Sequence, residues 1–89
     1  MIKNSYFKIV EYNSEYITGL VVGSINKDQI VELYDSLNNP LGIYSHIEEI
    51  KIYGIEFDSI SNGQTALFKC PGFDISLLDN GMKIVVSEE

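Results

Sequence analysis

The sequence contains no arginine, one cysteine and one alanine, and these shortages narrow the class of protein. Cys70 cannot form an internal disulfide, which excludes a disulfide-stapled scaffold and a zinc site built from cysteines. Alanine, the strongest helix former, occurs only as Ala66, whereas isoleucine and valine occur throughout. The composition therefore favours strands, and the fold must be held together by packing.

Charge of one sign dominates the chain. Thirteen Asp and Glu residues against six lysines give a formal net charge of -7. A domain of this charge repels a polyanion at long range, and the guanidinium groups that commonly bind phosphate are missing. We therefore do not expect nucleic acid to bind the domain on its own, and the charge favours a basic protein partner.

The length allows one domain, which we place at residues 1–89. No apolar stretch of signal-peptide length follows the start, and no run approaches the ~20 residues that a membrane helix needs. We expect a cytoplasmic domain without membrane contact.

Alternation of apolar and polar residues predicts strands, most clearly where Phe7 and Ile9 share a face between Tyr6 and Tyr12. Asn62-Gly63 and Asn80-Gly81 are the sharpest turn signals, because Asn and Gly tolerate a positive φ. Helix is expected for at most one turn, at 76–79. The predicted strands are 6–12, 16–22, 29–34, 45–57 with a break at Gly54, 64–70 and 82–87.

Short strands at these intervals predict an all-β fold, either a barrel or a sandwich. A small closed barrel of six or seven strands is favoured, because closure removes exposed sheet edges. The predicted core consists of Ile9, Ile17, Leu20, Val22, Ile30, Leu33, Ile50, Ile52, Ala66, Phe68 and Ile84.

Short motifs follow one another in a characteristic order along residues 15–85. The first half carries Thr18-Gly19-Leu20-Val21, Gly23, Ile25 and Val31-Glu32-Leu33. The second half carries Ile47, Ile50, Tyr53, Phe57, Asn62-Gly63-Gln64, Gly72, Leu78 and Gly81. This series resembles the β-barrel second domain of translation GTPases such as elongation factor Tu and initiation factor 2, and the resemblance implies the same barrel fold.

The resemblance carries only part of the family's chemistry. In elongation factor Tu, an asparagine of this domain contributes to the pocket for the aminoacyl end of tRNA, and Thr65 is at the position that looks equivalent. Asn13, Pro71 and Asn80 occupy positions where the family commonly has arginine. The chain contains no Gly-x-x-x-x-Gly-Lys-Ser/Thr loop, so we expect no GTP hydrolysis.

Candidate catalytic groups are few. His46 is two residues from Glu48, but one histidine with a carboxylate is an incomplete set of metal ligands. Cys70 has only Lys69 nearby in sequence to lower its thiol pKa. We therefore predict a protein without catalytic residues, metal or cofactor. The candidate partner-binding residues are Tyr16, Thr65, Tyr53 and His46.

The predicted function is that of a stand-alone, non-enzymatic binding module that contacts another protein. Analogy of fold places this role in translation or in the regulation of a translation-type partner. Two alternatives remain: an RNA- or ribosome-contacting factor related to translation, and a small acidic inhibitor or immunity-type protein that covers a basic partner.

Overall fold

The computed structural model describes residues 3–87, and their fold is all-β. None of these residues belongs to a helix that could cross a membrane. Residues Ile75–Leu77 form a 3₁₀ turn. The strands are β1 (Tyr6–Tyr12), β2 (Ile17–Val22), β3 (Ile25–Asn26), β4 (Ile30–Tyr34), β5 (Pro40–His46), β6 (Glu49–Ile52), β7 (Ile55–Glu56), β8 (Ser59–Ile60), β9 (Thr65–Lys69) and β10 (Lys83–Val86).

Most predicted strands are confirmed, with ends within one residue of those expected for β1, β2, β4, β9 and β10. The predicted break at Gly54 is confirmed, because Tyr53 and Gly54 both take a positive φ and turn the chain between β6 and β7. The part of the predicted 45–57 strand before this break is further divided between β5 and β6, which pair with different strands. Strands β3 and β8 have two residues each and are too short for alternation to reveal. The predicted helical turn is confirmed one residue earlier, at Ile75.

Eight strands form one antiparallel sheet in the order β5-β4-β10-β1-β2-β9-β6-β7, and β3 pairs with β8 in a second sheet. The outermost strands β5 and β7 do not pair with each other, so the large sheet is open. The prediction of a closed barrel of six or seven strands is therefore wrong in both closure and strand number.

The sheet edges are protected without closure. Strand β7 has only two residues, and β5 begins at Pro40, which has no N–H to donate. The pairing of β5 with β4 also shifts register between Glu32 and Tyr34. Further along β5, the N–H of Gly72 donates to Ser45 Oγ at 2.8 Å, so the loop after β9 covers this edge. The unpaired backbone groups at the two edges of the sheet are thus already few, interrupted or covered, without closure into a barrel.

The core is centred on two phenylalanines. The rings of Phe7 and Phe68 stack with their centroids 3.9 Å apart and their planes 5° from parallel, and both side chains are fully buried. Gly19 lies beneath Phe7, and a Cβ built on it would overlap Phe7 Cδ2 and lie 2.8 Å from Cγ. Gly19 therefore leaves the space that the Phe7 ring occupies, and a side chain at this position of β2 would displace the ring.

The predicted core is partly correct. Ile9, Ile17, Leu33, Ile50, Ala66, Phe68 and Ile84 are buried, and Ile52 packs against the core while only partly buried. The prediction is wrong for Leu20, Val22 and Ile30, whose side chains are 40%, 41% and 52% exposed. Each is next to a buried residue on its own strand. Because successive side chains of a strand point to opposite faces, these three point away from the core. Val21 and Val31 are buried in their place.

Both of the sharpest turn predictions are confirmed. Gly63 has a φ of 85° and Gly81 a φ of 90°, which are values that favour glycine. The side-chain oxygen of Asn62 accepts a hydrogen bond from the N–H of Gly23 at 2.9 Å. The 61–64 turn joins β8 to β9, which do not pair with each other, and it is tied instead to the end of β2.

Candidate functional site

Four polar side chains converge on the outer face of β2, β9 and β6. Glu49 and Lys51 are on β6, Lys69 is on β9, and Tyr16 immediately precedes β2. Glu49 is in register with Lys69, and all four alternate along the chain with buried core residues. We call these residues the Tyr16 cluster.

Hydrogen bonds and ion pairs connect every member of the Tyr16 cluster. Lys51 Nζ donates to Tyr16 Oη at 3.1 Å, and Tyr16 Oη donates to Glu49 Oε2 at 3.1 Å. The Glu49 carboxylate also lies 3.6 Å from Lys51 Nζ and 3.8 Å from Lys69 Nζ. Lys51 Nζ is 5.4 Å from the centroid of the Tyr16 ring, which adds a cation–π contact. The tyrosine ring is thus held in one orientation.

Glu49 and Lys51 of the cluster keep their charges throughout the neutral pH range. Desolvation raises the pKa of Glu49, but the hydrogen bond from Tyr16 and the charges of Lys51 and Lys69 outweigh it, so the pKa lies below its ordinary value. The hydrogen bond with Tyr16 and the charge of Glu49 raise the pKa of Lys51. The lowered carboxyl pKa stabilises the fold only above its unfolded value near 4.5 and is lost as pH falls through the folded pKa. Contacts made through the cluster should therefore change little between about pH 6 and 9.

Two clefts flank the Tyr16 cluster. The first, of about 270 Å³, lies between the turn before β2 and residues 69–78, and we call it the Cys70 cleft. The second, of about 250 Å³, lies beyond Lys51, and we call it the Tyr53 cleft. Tyr16 and Lys69 line the first cleft and Lys51 lines the second, so the cluster forms the ridge between them.

The floor of the Cys70 cleft is apolar. Ile17, Cys70, Phe73 and Leu78 line it and are all buried, while Ile75 of the 3₁₀ turn lines it and is 45% exposed. Because these floor residues are buried, the core continues up to the surface of the cleft. The cleft offers an apolar contact beside a fixed polar group.

The predicted site residues are partly brought together. Tyr16 is the centre of the cluster, and Tyr53 and Thr65 line the Tyr53 cleft together. Tyr53 is almost fully exposed. His46 is at the end of β5 in register with Ile30, and it lines neither cleft.

Sequence reasoning missed Glu49, Lys51 and Lys69. The alternation in Glu49-Ile50-Lys51 was a signal that both charged side chains leave the same face of a strand. Their approach to Lys69 depends on the pairing of β6 with β9, which joins residues far apart in the chain. No pattern within a single segment of the sequence predicts which distant strand that segment will pair with.

Cys70 lines the cleft but is not poised for chemistry. Burial raises the pKa of its thiol to about 12, so the thiol is protonated at neutral pH. No group of three or more His, Cys, Asp or Glu side chains between residues 3 and 87 could hold a metal ion. Cys70 is therefore not an activated nucleophile.

We expect the Cys70 thiol of the folded protein to resist iodoacetamide at pH 8, because the reagent needs an accessible thiolate. Mass spectrometry should show modification only after the protein is unfolded in urea, which serves as the positive control. Alkylation of the folded protein at the rate of a free cysteine would contradict the buried, protonated state.

No protein-family model matches the chain, and no curated protein matches it either.

Proposed function

We propose that the chain is a non-enzymatic binding module that contacts a partner protein through the Tyr16 cluster and the two flanking clefts. The observation that carries this proposal is the Cys70 cleft, a depression with an apolar floor and the fixed, charged Tyr16 cluster along one side. Protein interfaces commonly combine an anchor side chain in an apolar pocket with a polar rim.

The chemistry of the cleft favours an apolar anchor from the partner. Phe73 and Leu78 form the floor, while Ile75 and Leu77 expose apolar surface on the adjoining 3₁₀ turn. An inserted side chain would remove this surface from water, at about 25 cal/mol for each Å² buried. Tyr16 would contribute ring surface at small entropic cost, because its ring is already oriented by Glu49 and Lys51.

The same contacts support a role without catalysis. Every polar member of the cluster is paired with another member, and the Cys70 thiol is held protonated. A general base or nucleophile needs a group that is free to take a proton or to attack. The cluster is better suited to positioning a surface than to proton transfer.

The partner class that we favour belongs to translation, in the cytoplasm. This part of the proposal rests on the resemblance of residues 15–85 to the second domain of translation GTPases. Thr65, at the position that looks equivalent to the family's asparagine, lines the Tyr53 cleft beside Tyr53. The Tyr53 cleft is therefore the place where we propose that a family-like contact is retained.

A second candidate function is that of a small acidic inhibitor or immunity-type protein. The net charge of -7 favours it, because such a surface accelerates encounter with a basic partner. For this candidate the association rate should fall steeply with salt, whereas anchoring in the Cys70 cleft should depend on salt only weakly.

The test compares Ile75→Asp with Ile30→Asp as bait in affinity capture from cells of the source organism. Both positions expose an isoleucine on the surface, but only Ile75 lines the Cys70 cleft. We expect the wild type and Ile30→Asp to retain the same protein, and Ile75→Asp to bind the purified partner at least about tenfold more weakly, because its charge would be buried unpaired.

Circular dichroism checks that both variants are folded, and ribonuclease treatment before capture separates RNA from protein contacts. Equal retention of the partner by both variants would contradict the cleft as the binding site. A partner that is lost after ribonuclease treatment would favour the RNA- or ribosome-contacting alternative.

A further inference from the structure

A bulge in β1 brings two opposite charges to the outer face of the large sheet. Lys8 is in register with Leu20 of β2. Glu11 is in register with Thr18 of the same strand, and the register shifts just before Glu11, where Val10 is the extra residue of the bulge. Residues an odd number apart on a regular strand point to opposite faces, so Lys8 and Glu11 share a face only because of the bulge.

The side chains at this bulge are exposed and lack charged partners. Lys8 and Glu11 are both exposed, Val10 is 50% exposed and Leu20 is 40% exposed. We call these four residues the bulge patch. Among residues 3–87, neither Lys8 nor Glu11 takes part in an ion pair. The patch therefore presents one cation and one anion, both unpaired, beside exposed apolar surface.

The charges around the bulge patch are balanced as well. Lys83 of β10 is in register with Lys8, and Glu32 alternates with buried residues of β4 on the same outer face. Glu32 Oε2 accepts a hydrogen bond from the N–H of Gly42 at 3.0 Å, which fixes its carboxylate. With Glu11, the face carries two lysines and two glutamates. It therefore favours neither a purely acidic nor a purely basic partner, and it fits a surface that presents both signs.

A second copy of the chain presents both signs at the matching spacing. In an interface with two-fold symmetry, any contact between two different residues occurs twice, once in each direction. Lys8 and Glu11 flank Val10 along β1. When the outer faces of two copies meet about a two-fold axis that crosses β1 at Val10, Lys8 of each copy faces Glu11 of the other. The two Val10 side chains then meet on the axis, so one arrangement satisfies both charges and covers the apolar residue between them.

We propose that the chain forms a symmetric homodimer through the bulge patch, with Lys8 of each copy paired with Glu11 of the other. Exposed ion pairs contribute little free energy by themselves, so burial of Val10 and Leu20 supplies the attraction and the ion pairs fix the register. The net charge of -7 makes two copies repel each other, and this repulsion is weakest where balanced faces meet. The dimer should therefore be weak, with a dissociation constant of about 1–100 μM.

This inference is separate from the proposed function, because no residue of the bulge patch lines either cleft. Ile75→Asp, which tests the Cys70 cleft, should leave dimerisation unchanged. Substitutions in the bulge patch should leave capture of the partner unchanged. Each proposal can therefore fail while the other stands.

The first experiment measures dimerisation by sedimentation equilibrium for the wild type, Lys8→Glu and Glu11→Lys, with Lys3→Glu as the control. Each of the first two substitutions places like charges opposite each other twice and should weaken the dimer at least about tenfold. Glu11→Lys also lowers the net negative charge, so its effect cannot come from overall repulsion. Lys3 is an exposed residue before β1 and outside the bulge patch, and Lys3→Glu should remain within about twofold of the wild type.

The second experiment mixes the Lys8→Glu and Glu11→Lys variants, after circular dichroism has shown that both are folded. In the mixed dimer every glutamate of the patch faces a lysine, so the mixture should dimerise about as tightly as the wild type although neither variant does so alone. A fluorescent label on the N-terminus of one variant reports the mixed dimer in sedimentation velocity. A wild type that stays monomeric up to about 1 mM, single variants that dimerise as well as the wild type, or a mixture without a mixed dimer would each overturn the proposal.

Discussion

Gly19→Ala should destabilise the domain by about 3 kcal/mol, at the upper end of the range for overpacked cores. The new Cβ would overlap Phe7 Cδ2 and lie 2.8 Å from Cγ and 3.0 Å from Cβ of the same side chain. The ring cannot move aside freely, because it is fully buried and stacked 3.9 Å from Phe68. Relief requires a displacement of the aromatic pair or of β2 against β1.

Urea unfolding followed by circular dichroism measures this effect, and Gly63→Ala is the matched control. Gly63 has a φ of 85° and open space around its Cβ position, so its substitution costs only backbone strain of about 1–2 kcal/mol. If the conflict is with Phe7, Phe7→Leu combined with Gly19→Ala should cost less than the sum of the two single changes. Strictly additive effects would show that the ring is not the obstacle.

The same glycine explains why the sequence predicted the strand β2 but not its orientation. Ile17, Gly19 and Val21 point inward, but a glycine contributes no apolar side chain to the pattern. The apolar Leu20 and Val22 then appear to be the buried set, although they face outward. Alternation locates a strand well, whereas a glycine on its inner face hides which set of side chains is buried.

The sequence could not predict that the sheet is open, for a different reason. Closure depends on whether the first and last strands of a sheet meet, and nothing within β5 or β7 encodes this. The edges are instead capped by local features, among them Pro40 and the contact of Gly72 with Ser45. Strands and turns are local features, and the sequence predicted them. The order of strands in the sheet depends on contacts between distant segments, and the sequence could not predict it.

The candidate site follows the same division. Of the four residues predicted from the sequence as partner contacts, Tyr16, Tyr53 and Thr65 line the clefts and His46 does not. Tyr16 is held by Glu49 and Lys51 of β6, and Glu49 is in turn paired with Lys69 of the neighbouring strand β9. The Cys70 cleft needs the loop after β9 to fold back over the end of β2, which only the tertiary structure shows.

Gly72 connects that loop to the edge of β5. Its N–H donates to Ser45 Oγ at 2.8 Å, and a Cβ built on it would lie 2.9 Å from Ser45 Cβ and from the carbonyl oxygen of Tyr44. A carbonyl oxygen within a paired strand cannot move aside without disturbing the pairing of β5 with β4. Gly72 is thus the point at which the wall of the Cys70 cleft is fixed to the sheet.

Gly72→Ala should therefore destabilise the domain by about 1–3 kcal/mol and also displace the segment that carries Cys70 and Phe73. Displacement would expose the thiol, so iodoacetamide should modify Cys70 in this variant under conditions where the folded wild type is protected. Gly54→Ala is the control, because Gly54 has a positive φ of 75° and open space around its Cβ position, and it does not line the Cys70 cleft. It should lose stability through backbone strain while its thiol remains protected. A Gly72→Ala variant with unchanged urea midpoint and a protected Cys70 would show that the cleft wall is held by other contacts.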